Sequence, residues 1–77
     1  MNDPEKQSIW TVPHPQGGWG NRYEGAKRYF SRAHRKDAAE RMGRQAAKLE
    51  GAEHVITRRD GSVVERLRYD DDGRLVH

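Results

Sequence analysis

Apolar and polar residues alternate along the first third of the chain, as expected for half-buried strands. Residues 9–12 are β-branched or aromatic and predict a strand that ends at Pro13, whose missing N–H cannot join a sheet. Residues 19–24 return as a second strand after a loop of about five or six residues. After a break at Gly25, residues 27–31 predict a short third strand.

The hydrophobic period changes from two to 3.6 over residues 35–50, which predicts one amphipathic helix. Small apolar residues, mostly alanine, fall on one side of this helix, and charged residues fall on the other. Gly51 is placed to end the helix in the left-handed conformation. Gly43 costs about 1 kcal/mol of helix propensity relative to alanine. We expect a compensating close contact with an aromatic ring of the sheet, either Trp10 or Trp19.

Two further β-prone runs, residues 54–58 and 63–69, flank an Asp-Gly dipeptide. This pattern predicts a hairpin with a type I′ turn, in which both central residues have positive φ. Residues 70–73 end the last strand, and residues 74–77 form either a frayed tail or a short additional edge strand. The predicted turn residues are Pro13, Pro15, Gly17 and Gly18 in the first hairpin and Asp60 and Gly61 in the second.

In sequence order, these elements predict an α+β fold. We expect an antiparallel sheet of four or five strands in the order ββ(β)αββ, with one helix packed on one face. Residues 1–7 are expected to be a disordered lead-in, residues 8–69 a single domain, and residues 70–77 an acidic turn and tail. The sequence has neither a long apolar run nor an apolar signal segment, so we expect a cytoplasmic protein that does not bind membranes.

Composition indicates that the core of this domain is thin. Leu, Ile, Val and Phe make up 11 of the 77 residues, a share at which disorder has to be weighed. The net charge is only +3, which is too small for repulsion to hold the chain open. Because the chain has no cysteine, neither disulfides nor a thiolate zinc site can stabilise it. We expect a marginal domain that folds, helped by self-association or by a partner.

Several short elements of the sequence occur together in a recognisable order. They are the Pro-His-Pro-x-Gly-Gly-Trp element at 13–19, Glu-Gly-Ala at 24–26, the end of the alanine-rich helix at 47–53, Arg-Asp-Gly at 59–61 and Tyr69. In this combination the chain resembles a small bacterial family known as domain of unknown function 2188. The resemblance covers residues 8–69 and implies a compact bacterial domain, without an activity, cofactor or site residue.

The motifs for catalysis, nucleotide binding and metal binding are incomplete or wrongly spaced in this sequence. Residues 20–27 approach a phosphate loop, but the lysine is displaced by one position and no hydroxyl follows it. His14, His34, His54 and His77 lack the i, i+4 spacing of helical zinc ligands, and we interpret them as surface or strand-edge residues. No serine has the context of a nucleophile. We therefore expect no enzyme activity, no metal and no cofactor.

Basic charge is concentrated in the middle of the chain. Residues 22–48 contain nine basic and three acidic residues, a balance of +6 that leaves −3 for the rest. A basic helix face with nearby aromatic rings is typical of surfaces that bind DNA or RNA. The residues predicted to contact nucleic acid are Arg28, Arg32, Arg35, Lys36, Arg41, Arg44, Lys48, Tyr23 and Tyr29. The alternative is that these side chains cover the flanks of a small core while their charges stay in water.

The aromatic residues favour a different class, a protein-interaction module, which is our preferred interpretation of the sequence. One alanine-lined helix is too small to bury every aromatic ring, so some rings should be exposed on the open sheet face or along an edge. Trp10, Trp19 and Tyr69 are predicted to form this interaction surface. Pairing of edge strands into a homodimer, or capture of a strand from another protein, would bury them.

Overall fold

The computed structural model describes residues 8–76 as one sheet with one helix packed against it. Its elements are β1 (Ile9–Pro13), β2 (Trp19–Tyr23), β3 (Ser31–Ala33), α1 (Lys36–Glu50), β4 (Glu53–Thr57), β5 (Val63–Tyr69) and β6 (Leu75–Val76). The strand order in the sheet is β3-β2-β1-β4-β5-β6. The predicted α+β class is confirmed. The predicted lead-in, residues 1–7, and His77 lie outside the described residues.

The sheet is mixed, so the expectation of a purely antiparallel sheet is wrong. β1 pairs antiparallel with β2 but parallel with β4, where Ile9 lies opposite His54 and Thr11 lies opposite Ile56. After β3 the chain crosses one face of the sheet as α1 and then returns beside β1. A parallel pair requires a crossover of this length. The parallel pair joins the two hairpins into one sheet.

The edges of the sheet also differ from the prediction. β3 begins at Ser31, four residues later than predicted. The segment before it is a turn, in which Arg22 donates from Nη1 to the carbonyl of Ala26 at 2.7 Å. At the other edge, Leu75 pairs with Tyr69 as part of β6, so the tail is the additional edge strand and not a frayed end. The sheet therefore has six strands within residues 8–76, where four or five were expected.

Three loops of the sheet share one geometry. In residues 14–18, 58–62 and 70–74, the first N–H donates to the fifth carbonyl, and the fourth N–H donates back to the first carbonyl. The fourth residue is a glycine with positive φ in each loop: Gly17, Gly61 and Gly73. This is the three-residue hairpin loop, a type I turn followed by a left-handed glycine.

The type I′ turn predicted at Asp60 is therefore wrong. Within residues 8–76 only glycines have positive φ, so Asp60 cannot occupy a central position of that turn. Its carboxylate oxygen Oδ1 instead accepts the backbone N–H of Ser62 at 2.9 Å. Asp70 stabilises the last loop in the same way, because its Oδ1 accepts the N–H groups of Asp72 and Arg74.

Helix α1 ends as predicted and lies close to the sheet. Gly51 follows it with φ 62°, and the N–H of Ala52 donates to the carbonyl of Ala47 at 2.9 Å. The buried residues of α1 are Ala39, Gly43 and Ala47, spaced by four so that they share one face. Within residues 8–76, no helix has the length and apolar character needed to cross a membrane.

The centre of the core, beneath Gly43, is polar. Thr11, Asn21 and His54 are fully buried there. Thr11 Oγ1 donates to Asn21 Oδ1 at 2.5 Å and lies 2.7 Å from His54 Nε2. A Cβ added at Gly43 would lie between 2.5 and 2.8 Å from these three side chains. The glycine is therefore required by the polar cluster.

Two expectations are wrong at this point of the structure. Gly43 does not pack on Trp10 or Trp19, because the sheet residues nearest to it are the polar ones. His54 is not a surface histidine, because it faces α1 and is fully buried. Burial, with a smaller contribution from the charge of Arg44, lowers the pKa of His54 to about 4.

Candidate nucleic-acid interface

The face of the sheet opposite α1 carries arginine and aromatic side chains. Thr11 and Asn21 point toward α1, so Trp10 and Arg22, their neighbours in β1 and β2, point to the other side. In β5, Arg66 lies opposite Val55, and its guanidinium carbon is 5.8 Å from the centre of the Trp10 ring. We call this surface the open face and define it by Trp10, His14, Arg22, Tyr29, Arg32, Arg66 and Arg68.

One aromatic pair of the open face covers Gly20. The rings of His14 and Tyr29 lie 4.5 Å apart between centroids. A Cβ at Gly20 would lie 2.7 Å from Tyr29 Cδ2 and 3.0 Å from His14 Cδ2, so the missing side chain makes room for both rings. The His14 ring is held in place because its Nδ1 accepts the N–H of Gln16 at 3.1 Å. Arg22 lies beside this pair, with its guanidinium carbon 5.8 Å from the Tyr29 ring centre.

The second aromatic position of the open face is Trp10, with Arg66 above it. Arg66 Nη1 also donates to Glu53 Oε1 at 3.1 Å. Glu53 is the only acidic residue among the strand positions of this face within residues 8–76, against four arginines. The open face is therefore positively charged.

Two nitrogen atoms beneath the open face have no hydrogen-bond acceptor among the described residues. These are Trp10 Nε1 and Arg22 Nε, and both atoms are buried. An unsatisfied buried N–H costs about 1–3 kcal/mol. Both donors lie on the side of the sheet that has no helix.

The basic residues predicted to bind nucleic acid do not form one surface. Three of them pair with acidic neighbours along α1: Arg35 and Arg41 approach Asp37 at 3.4 and 3.9 Å, and Lys36 approaches Glu40 at 3.9 Å. These pairs bring the first half of α1 close to neutral charge.

The remaining predicted basic residues lie in different places. Lys48 is on the flank of α1 that faces β5, with Nζ 5.9 Å from the ring centre of Tyr69. Arg44, whose charge acts on buried His54, is half-buried on the same helix. Arg28 is exposed in the turn before β3. Only Arg32 lies on the open face, where it donates two hydrogen bonds to carbonyls of the first hairpin loop.

The two tyrosines predicted to stack on bases are separated by the sheet. Tyr29 is on the open face, whereas Tyr23 is on the helix side, where its hydroxyl donates to Glu50 Oε2 at 2.6 Å. That hydrogen bond is the main reason that the pKa of Tyr23 is raised. The ring of Tyr23 also packs against Phe30, with centroids 5.1 Å apart.

Of the residues predicted to form an exposed interaction surface, only Trp10 is partly exposed. Trp19 and Tyr69 are 6% and 5% exposed, because both face α1. Lys36 Nζ lies 5.0 Å from the Trp19 ring centre and covers it further. Trp19 and Tyr69 therefore belong to the core, and their prediction as surface residues is wrong.

His14, Arg22, Arg66 and Arg68 belong to the open face but were not predicted from the sequence as site residues. Alternation along β5 does place Arg66 and Arg68 on one side of that strand. It could not show that β4 would bring this side next to Trp10, because that neighbourhood depends on the parallel pairing of β1 with β4. Within residues 8–76, no three acidic or histidine side chains are grouped so that they could hold a metal ion.

Comparison with known proteins identifies the family of this chain. No curated protein and no solved structure matches it. A family model described as "Uncharacterized protein conserved in bacteria (DUF2188)" matches residues 9–69, which span β1 to β5. The family suspected from the sequence is confirmed, and the chain belongs to the DUF2188 family of uncharacterised bacterial proteins.

Proposed function

We propose that this protein binds single-stranded nucleic acid on the open face of its sheet and catalyses no reaction. One observation carries the proposal: aromatic rings and guanidinium groups alternate on this face, with Arg22 beside Tyr29 and Arg66 beside Trp10. Unpaired bases stack on aromatic rings, and arginine attracts the phosphates between them. The proposal keeps the nucleic-acid hypothesis from the sequence and moves its site from α1 to the sheet.

Charge also supports the open face over the helix. The open face has four arginines and one glutamate, whereas the basic residues in the first half of α1 pair with Asp37 and Glu40. A single strand is favoured over a duplex because stacking on Trp10 and Tyr29 requires bases that are free of a partner strand. The rings are held in advance by Arg66 and His14, which lowers the ordering cost of binding.

Fluorescence anisotropy with labelled single-stranded DNA and RNA tests this proposal. The double variant Arg66→Gln/Arg68→Gln changes the open face, and Arg41→Gln/Arg44→Gln removes the same charge from α1. We expect the first to weaken binding about tenfold or more and the second about threefold or less, because only the first pair contacts the strand. Affinity should fall steeply between about 50 and 200 mM salt. Circular dichroism checks that both variants fold.

A stacking contribution is tested separately with Tyr29→Ala, which keeps every charge. We expect it to cost about 1–3 kcal/mol of binding free energy, the usual value for one stacked base. A greater loss from the α1 variant than from the open-face variant would place the site on the helix. The absence of binding at low salt would contradict nucleic-acid binding altogether.

A specific observation also favours a second function, the protein-interaction module that the sequence suggested. β6 pairs only with Arg68 and Tyr69 of β5, so within residues 8–76 no strand covers the outer edge of β5 at residues 63–67. Val63 and Val64 on this edge are 39% and 48% exposed. An uncovered edge of this kind accepts another strand through backbone hydrogen bonds. We propose this outer edge of β5 as the site of self-association or of binding to another protein.

A further inference from the structure

We propose that the part of the open face around Tyr29 selects guanine over adenine in the bound strand. This selection rests on the proposed binding of single-stranded nucleic acid and adds the base that this part of the face recognises. The hydrogen-bonding side chains beside the Tyr29 ring, His14 and Arg22, both offer donors and no acceptor.

His14 presents a donor next to Tyr29. Its Nδ1 accepts the backbone N–H of Gln16 at 3.1 Å, so the proton of the neutral ring lies on Nε2. Nε2 makes no hydrogen bond to another group within residues 8–76. Turning the ring over would break the bond to Gln16, and protonating it would add a second donor. In each protonation state, His14 therefore offers an N–H group and no acceptor, with its ring centre 4.5 Å from that of Tyr29.

Arg22 supplies the second group of donors. Its guanidinium carbon lies 5.8 Å from the centre of the Tyr29 ring, and a guanidinium has N–H donors only. Nη1 donates to the carbonyl of Ala26 at 2.7 Å, which fixes the position of the guanidinium. Nη2 makes no hydrogen bond within residues 8–76, so its two N–H groups are available to a ligand.

The acceptors of the surrounding surface are occupied or lie elsewhere. Arg32 already donates to two carbonyls of the first hairpin loop. Glu53 already accepts two hydrogen bonds, at 2.7 and 3.1 Å. Tyr29 covers Gly20, near the start of β2, whereas Glu24 follows the end of that strand. The edge of a base beside Tyr29 therefore meets the two donor groups and no unoccupied carboxylate.

Guanine matches a position lined by donors better than adenine does. Guanine presents two acceptors, O6 and N7, side by side, and arginine is the residue that most often contacts them. Adenine carries an amino group in place of O6, so on the same edge its N–H groups would face N–H groups of the protein. Donors that face each other leave both unpaired, which is unfavourable. The guanine base is therefore retained in preference to adenine.

Competition binding with DNA octamers tests this preference. Each octamer has one variable base among thymines, so that no stable duplex forms. The variable base is guanine, adenine or hypoxanthine, which keeps O6 and N7 of guanine but lacks its 2-amino group. We expect the guanine and hypoxanthine octamers to bind about five- to tenfold more tightly than the adenine octamer. Equal binding of guanine and adenine, or binding of hypoxanthine as weak as that of adenine, would overturn the selection.

The variant His14→Phe tests the donor itself, because phenylalanine keeps a ring beside Tyr29 but has no N–H group. We expect the guanine-to-adenine ratio to fall to about twofold or less, while affinity for an all-thymine octamer changes by about twofold at most. The control His34→Phe alters an exposed histidine and should keep the wild-type ratio. Circular dichroism checks that both variants fold. An unchanged ratio in His14→Phe would overturn the role of His14.

The outcomes separate this selection from the proposed function. If all octamers bind with equal affinity and the open-face variants weaken them, nucleic-acid binding stands and the selection of guanine fails. If neither the octamers nor longer single strands bind at low salt, both fail together.

Discussion

At the scale of single residues, the polar cluster beneath Gly43 connects most of the fold. Asn21 Nδ2 donates to Ser31 Oγ and to the carbonyl of Ala39, both at 2.9 Å. Since the one hydroxyl proton of Thr11 is donated to Asn21, the nitrogen that contacts Thr11 must be the protonated nitrogen of His54. The cluster thus joins four strands and the helix, and it fixes the tautomer of His54.

Replacing Gly43 tests whether this cluster determines the distance between helix and sheet. Gly43→Ala gains about 1 kcal/mol of helix propensity, but the added Cβ would lie 2.5 Å from Asn21 Oδ1. We expect a net loss of about 1–3 kcal/mol in the free energy of unfolding, the usual cost of overpacking. Urea denaturation measures it. The control, Gln45→Ala, lies on the exposed side of α1 and should be neutral or slightly stabilising, and an equally stable Gly43→Ala would contradict the close approach.

At the scale of elements, the hairpin loops show that local sequence and local structure agree. Each of the three loops has a glycine with positive φ as its fourth residue, and two of them also contain an aspartate that accepts backbone N–H groups. The loop type nevertheless differed from the predicted one at Asp60. A two-residue and a three-residue loop have almost the same composition, and the pairing of β4 with β5 decides between them.

A substitution at Gly61 tests only the backbone conformation that these loops require. It causes no steric clash, because no atom lies within 4 Å of a Cβ built there. Gly61→Ala should cost about 1–2 kcal/mol of stability, since only the left-handed conformation at φ 91° opposes it. Gly61→Asn should cost less, because asparagine tolerates this region. Thermal melts of the two variants measure the difference. Equal stability of Gly61→Ala and wild type would mean that the loop changes its type.

At the scale of the whole molecule, a thin core depends on a buried ionisable group. His54 is fully buried, its protonated Nε2 contacts Thr11, and its other ring nitrogen has no partner among the described residues. Adding a proton to that nitrogen would create an unpaired charge in the centre of the core. This cost explains why the pKa of His54 is lowered to about 4.

The lowered pKa predicts how stability depends on pH. The unfolded chain binds a proton at His54 below about pH 6.5, whereas the folded chain binds it only near pH 4. The stability should therefore be fully present above about pH 6.5 and fall on acidification toward pH 4, by on the order of 3 kcal/mol. Urea unfolding across this range measures it. His54→Gln should be less stable but should vary less with pH, whereas the exposed-site control His34→Gln should keep the wild-type dependence.

A wild-type stability that is flat between these pH values would contradict the burial of a neutral histidine. The comparison with His54→Gln separates this effect from that of the carboxylates. Asp60, for example, has a lowered pKa because it accepts hydrogen bonds from Ser62, and its contribution is lost only at lower pH.

The sequence by itself determined the number and type of most elements and the places where the chain turns. These features depend on signals within a few residues: the alternation of strands, the periodicity of the helix, Gly51 and the loop glycines. They can therefore be predicted without knowledge of the fold. The sequence also named Trp10, Tyr29 and Arg32 of the candidate site. It misassigned Trp19 and Tyr69 because composition shows that some rings must be exposed but does not show which ones.

Only the tertiary structure decided that β1 pairs in parallel with β4, that the core beneath Gly43 is polar, and that Arg66 meets Trp10. Each of these depends on residues more than forty positions apart or on three elements meeting at once. No local sequence pattern encodes contacts between residues so far apart along the chain. The register of the strands sets these contacts after the helix has crossed the sheet. Three of the nine basic residues in the middle of the chain pair with acidic residues along α1. The open face receives its arginines from both halves of the sheet.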